Sequence, residues 1–168
     1  EAYLVPYDGN TKFIKQTGYR LKTFYEDLGK LDNKRTFVFL DSCFSGTSRG
    51  EKQLLAGARP ALIHVDDSAA VSRKIIAISA STASQISNSY PEMRQGLFSY
   101  FLSRGLAGLA DENRDGRITI AELYNFLNRN VAQTARKSKG IEQTPVITPP
   151  LGAAGNNPDT IVSQALVR

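Results

Sequence analysis

In "FVFLDSCFSG", Phe37 to Gly46, the only cysteine of the chain, Cys43, follows a run of apolar residues and stands two places after Asp41. A thiol at the carboxyl end of a buried strand faces the crevice in which open α/β sheets bind their ligands. As a thiolate it can attack a carbonyl carbon there, and backbone amides of a turn such as Ser45-Gly46 can stabilise the oxyanion that forms. Position alone leaves a second reading open, a small cysteine that only fills the end of a strand.

A second stretch, "DENRDGRITIAE", Asp111 to Glu122, carries oxygen ligands at the spacing of the EF-hand calcium loop. Asp111, Asn113 and Asp115 take the first, third and fifth positions, and Gly116 follows where the backbone must turn sharply. Arg117 offers its backbone carbonyl at the seventh position, Thr119 a hydroxyl or a water at the ninth, and Glu122 a bidentate carboxylate at the twelfth. Ile118 is the apolar anchor between the flanking helices. These residues make a calcium ion the expected ligand of the loop. A single hand without a partner binds weakly, with Kd about 10⁻⁴ M or weaker. The same loop can also persist as a helix–turn–helix joint that holds no metal.

The elements that position these residues follow from hydrophobic spacing. "AYLVPYDG" (Ala2–Gly9) reads as a short buried strand entering a turn. Thr17 is the expected cap of a helix whose apolar face is Leu21, Phe24, Tyr25, Leu28 and Leu31. "TFVFL" (Thr36–Leu40) and "KIIAIS" (Lys74–Ser79) are continuous apolar runs, the pattern of strands covered on both faces. Residues 47–74 are small, polar and basic, and read as a long loop. Helices are expected at 97–109 and at 120–131, and "TPVIT" as a closing strand. Strands alternating with helices predict an α/β fold with a mainly parallel sheet. Residues 151–168 read as a tail.

Composition sets the limits. The chain has 168 residues, 41% of them hydrophobic and 22% charged, enough for one domain with a real core. One cysteine excludes an internal disulfide framework and a multi-thiolate metal site. The net charge of +5, from 21 basic and 16 acidic residues without a block, reads as a solvated surface. No nucleic-acid motif accompanies it, so no nucleic-acid partner is expected. No apolar run approaches the roughly 20 residues that span a bilayer, so no membrane association is expected. A soluble protein with a free thiol suits a reducing, cytoplasmic setting.

The residues around the thiol carry a resemblance. "FLDSCFSG" resembles the nucleophile motif of the caspase-like cysteine peptidases, especially the metacaspase and bacterial branches, in which an acidic residue two places before the cysteine is typical. "EAYLVPYDG" is similar to the segment after the family's catalytic histidine. "AISASTASQIS", "GLFSYFLSRGLAG" and "EQTPVI" are similar, in order, to its later strand, helix and closing strand. The resemblance covers roughly residues 1–150 and implies the C-terminal portion of a caspase-like domain, with the first strands outside this chain.

It further implies a cysteine endopeptidase acting on peptides or proteins, with Cys43 as nucleophile and no cofactor needed for catalysis. Asp41 would line the first specificity pocket and favour Arg or Lys before the cleaved bond. Ser84, Gln85 and Ser87 would offer backbone to an extended substrate. Ser84 stands where metacaspases usually carry an acidic residue, so the pocket is expected to be less acidic than theirs. Calcium activation in metacaspases generally uses another acidic site, so the resemblance does not make 111–122 the activating loop.

A peptidase of this kind needs a histidine to take the thiol proton. The only histidine, His64, follows Cys43 and lies within the loop, whereas the family's histidine precedes the cysteine. The base is therefore expected on an upstream segment, a companion N-terminal fragment, and this chain alone is expected to be inactive. Arg49, Lys52, Arg59, Arg73 and Lys74 are expected candidates for self-processing in the loop. The alternatives are a non-catalytic caspase-like interaction domain, or pseudo-enzyme, and a plain calcium-binding module.

Overall fold

The computed structural model describes residues 3–41, 72–82, 85, 89–90 and 94–165. The chain opens with β1 (Tyr3–Leu4), a 3-10 turn, the short helix α1 (Ile14–Thr17) and β2 (Tyr19–Arg20), which pairs antiparallel with β1. The strand expected over Ala2–Gly9 is shorter and less buried than its apolar residues suggested. Val5 is 51% exposed, and Tyr7 is fully exposed. Pro6 has no N–H to add to a ladder, and its carbonyl instead accepts from the Gly9 amide at 2.9 Å to close a turn.

Helix α2 (Leu21–Lys30) follows at once. Leu21, Phe24, Tyr25 and Leu28 form the expected stripe, but Leu31 falls just past the helix and is exposed, and Thr17 is not the cap. The Thr17 hydroxyl donates to the carbonyls of Asn10 and Phe13, and it accepts from the Asn10 amide at 3.0 Å. Its hydrogen-bonding capacity closes the preceding loop.

The sheet at the centre is built from the two apolar runs. β3 (Thr36–Leu40) and β4 (Ile75–Ser79) are parallel, from Thr36 opposite Ile75 to Leu40 opposite Ser79. After a two-residue hairpin pairing of β5 (Ser89–Tyr90) and β6 (Gln95–Gly96), helix α3 (Leu97–Arg104) continues into a π-helical turn over Gly105–Leu109. β7 (Arg117–Thr119) leads into α4 (Ile120–Lys139), and β8 (Val146–Thr148) joins the central sheet antiparallel to β4. Beyond Leu151, where a tail was expected, β9 (Ile161–Gln164) pairs antiparallel with β7.

Alternation along β3 and β4 divides the core into two faces. Ile76 and Ile78 point towards α3 and α4, where they meet Leu97, Phe98, Leu123, Leu127, Val131 and Ile118, with Phe37 and Phe39 at the margin. Ile75, Ala77 and Val38 point the other way, onto Leu21 and Tyr25 of α2. The result is the expected α/β arrangement, a sheet with helices on both faces. Each fully buried large side chain, such as Phe98 or Leu127, contributes roughly 1.5–3 kcal/mol through removal from water.

Tyr25 departs from that apolar rule. It is 3% exposed, and its hydroxyl finds no partner among the described residues. Burial pushes its phenol up from 10.0 to about 12. Tyr25→Phe is therefore expected to stabilise the fold by about 1 kcal/mol, read from urea unfolding at neutral pH, because the variant buries no unpaired hydroxyl. The folded state favours the neutral phenol, so the stability it carries is complete below pH 10 and is lost as pH rises through about 12. The phenylalanine variant should lack that alkaline loss; equal curves for the two proteins would show that the hydroxyl is hydrated in the folded state.

Candidate functional site

The carboxyl ends of β3 and β4 lie side by side, joined past the strands by the Ala80 amide donating to the Leu40 carbonyl at 2.9 Å. Asp41 follows β3 directly and is half-buried. Its Oδ2 accepts from the Ser99 hydroxyl at 2.6 Å and from the Ser99 amide at 3.2 Å, in the first turn of α3. That placement gives the helix N-terminus the anion it favours. Gly96, the residue before the helix, makes the approach possible. A β-carbon there would lie 1.9 Å from Asp41 Oδ2.

Past β4 the chain turns back over a polar brace. The Gln85 amide donates to the Thr82 carbonyl at 3.1 Å, and the Ser81 hydroxyl donates to the Gln85 carbonyl at 3.2 Å. The side-chain oxygen of Gln85 accepts from the Thr144 amide at 2.7 Å, just before β8. Gln143, fully buried, donates to the Ala80 carbonyl at 3.2 Å. Gln85 is thus fixed by its side chain to the segment before β8, while its backbone amide and carbonyl are engaged by Thr82 and Ser81. Cys43, His64, Ser84 and Ser87 lie outside the described residues.

Sequence reasoning had missed Gly96, Ser99 and Gln143. Glycine and serine at a helix start are a capping signal, but the partner of Ser99 is 58 positions away. Arg73 and Lys74 were candidates for self-cleavage. The Lys74 carbonyl accepts from Thr36, and its ammonium donates to the Leu31 carbonyl, so this end of the loop is tied to the sheet.

The loop from Asp111 to Glu122 adopts a tightly hydrogen-bonded turn. Asp111 accepts from the amides of Asp115 and Gly116, Asn113 from Asp115, and Asp115 from Arg117 at 2.8 Å. Arg114 and Gly116 take positive φ, 61° and 80°, the second at the position reserved for glycine by the sharp turn. Ile118 is fully buried, as expected of an anchor. Thr119 caps α4, and Glu122 completes a capping box by accepting from the Thr119 amide at 3.0 Å and hydroxyl at 2.8 Å.

Desolvation pushes the Glu122 carboxyl up. Hydrogen bonds from Thr119 and from the Asn113 and Glu112 amides outweigh it and hold the group below its ordinary value. Glu122 therefore ties the end of the loop back to its start. Among the described residues, no three His, Cys, Asp or Glu side chains converge as a metal cluster. The all-oxygen donor set suits a hard cation.

The family model of the caspase domain matches residues 1–152 of this chain. The chain belongs to the caspase-domain family. No curated protein matches it in sequence. Membership makes this a caspase-like cysteine peptidase or a relative of one, a class whose substrates are proteins or peptides. Within the caspase-domain match, the β3–β4 edge that carries Asp41 and the α3 start that clasps it are both included. No helix among the described residues is long and apolar enough to cross a membrane.

Proposed function

We propose that this chain is the Cys43-bearing portion of a metacaspase-type cysteine endopeptidase that cleaves after Arg or Lys. The observation that carries the reading is the position of Asp41, fixed at the carboxyl end of β3 two residues before the thiol. A histidine from an upstream, companion segment accepts the Cys43 proton. The thiolate attacks the peptide carbonyl, and backbone amides, that of Cys43 among them, hold the oxyanion. The imidazolium returns its proton to the leaving amine, and water then releases the acyl group and restores the thiol.

Asp41 attracts the cationic side chain before the cleaved bond, and the backbone of Ser84, Gln85 and Ser87 pairs with the extended substrate, Gln85 through the second lone pair of a carbonyl that already accepts from Ser81. Self-processing falls to Arg49, Lys52 or Arg59 rather than to Arg73 or Lys74, whose segment is bound to the sheet. Incubation with an irreversible Arg-directed thiol probe, followed by intact mass, tests the assignment. One probe on Cys43 in a protein that also carries the histidine segment is the expected result. Absence of labelling there would favour the non-catalytic interaction domain.

The same chain binds calcium through Asp111, Asn113, Asp115, the Arg117 carbonyl, Thr119 and Glu122. The donor types and the turn geometry support this, and when bound the ion supplies a structural cross-link between the loop and α4. Glu122→Gln keeps a side chain that can complete the capping box but removes a ligand charge. Calcium affinity is expected to fall about tenfold or more, while metal-free stability changes by less than about 1 kcal/mol. Calorimetric titration beside thermal melting checks both, and unaltered calcium affinity would place the ion elsewhere.

A further inference from the structure

We infer that Ser99, with Gly96 beside it, is a positioning residue that sets the orientation of the Asp41 carboxylate and thereby the preference for a cationic residue before the cleaved bond. The inference rests on the peptidase reading above and deepens it.

Three features converge on one oxygen. Two hydrogen bonds to Asp41 Oδ2 come from a single residue, the hydroxyl of Ser99 at 2.6 Å and its amide at 3.2 Å. Bonds to an ionised acceptor are roughly twice as strong as neutral ones, and the shorter of these lies in that class. Gly96 closes on the same oxygen, with no room for a β-carbon. The main chain is held too, because the Leu40 carbonyl immediately before Asp41 accepts from Ala80.

Ser99 can fix the carboxylate because it is itself fixed. Its helix is rooted in the core by the neighbouring Leu97 and Phe98, 2% and 0% exposed. The carboxylate therefore takes direction from α3 and the core beneath it. A guanidinium is recognised through directional, paired hydrogen bonds, so a carboxylate held in one orientation discriminates better than one free to rotate. Glycine and serine at the head of this helix are, in this view, part of the specificity apparatus as well as its start.

The test uses the complete domain with its histidine segment, and matched peptides that differ only in Arg or a neutral residue before the cleaved bond. Ser99→Ala is expected to lower the Arg-over-neutral ratio of kcat/KM about tenfold, chiefly through KM for the Arg peptide. Ser99→Thr, which keeps the hydroxyl, should restore it, and Gly96→Ala should lose it. In parallel, the melting shifts of Asp41→Ala and Ser99→Ala should be non-additive in the double variant. Additive shifts would remove the clasp. Non-additive shifts with an unchanged ratio, or an equal loss for both peptides, would leave a helix cap and overturn the positioning role. Non-additive shifts in a wild-type protein that cleaves neither peptide would overturn the peptidase reading, and the specificity role with it, while leaving the clasp in place.

Discussion

Cys43→Ala is expected to lower kcat for an Arg peptide by on the order of 10⁴-fold or more, to background, and to abolish labelling by an Arg-directed thiol probe. The argument is chemical. Covalent catalysis at a peptide carbonyl divides one difficult step into two, and without the sulfur no acyl-enzyme forms. No other thiol exists in the sequence to take over. The change removes one sulfur atom, and the melting temperature should move by no more than an ordinary point substitution allows, about 1 kcal/mol in stability. Turnover and melting measured on the same preparation separate the two effects. Cleavage persisting at the wild-type rate would assign the nucleophile to another residue, and a collapsed fold would be visible in the melt.

How much of this was legible in the sequence varies with the range of the interactions. β3 and β4 were plain, because a strand covered on both faces is a nearly continuous apolar run, and residues 37–40 and 75–78 are such runs. The calcium-type loop was equally plain, since its turn, anchor and cap are all local. The start of α2 was misplaced because Thr17 had two local uses, and the loop back to Asn10 won. β9 had no signal of its own. "IVSQ" becomes a strand only because β7 offers it a ladder, with Ile118 opposite Ser163. The same holds at the site. Asp41 stood out by its place beside the cysteine, while its partner on α3 belongs to a helix whose sequence, "GLFSYFLSRG", advertises only its apolar face.

Asp41→Ala should have two consequences that Asp41→Asn can separate. Alanine removes the acceptor as well as the charge, leaving the first turn of α3 without its cap. A lost cap of this kind costs about 1–2 kcal/mol, visible as a lower urea midpoint. Alanine also removes the anion that attracts Arg or Lys, and truncating one member of a desolvated charge pair costs about 2–5 kcal/mol in binding. A loss of Arg preference of about a hundredfold, equivalent to roughly 2.7 kcal/mol, is therefore expected. Asparagine keeps an oxygen that can still accept from both Ser99 donors but carries no charge. It should retain most of the stability and still lose most of the preference. If asparagine instead preserved Arg selectivity while alanine destroyed it, the discriminating feature would be the cap and the backbone it holds in place. Should both variants cleave Arg peptides with undiminished preference, the selection of the basic residue would lie outside Asp41 altogether.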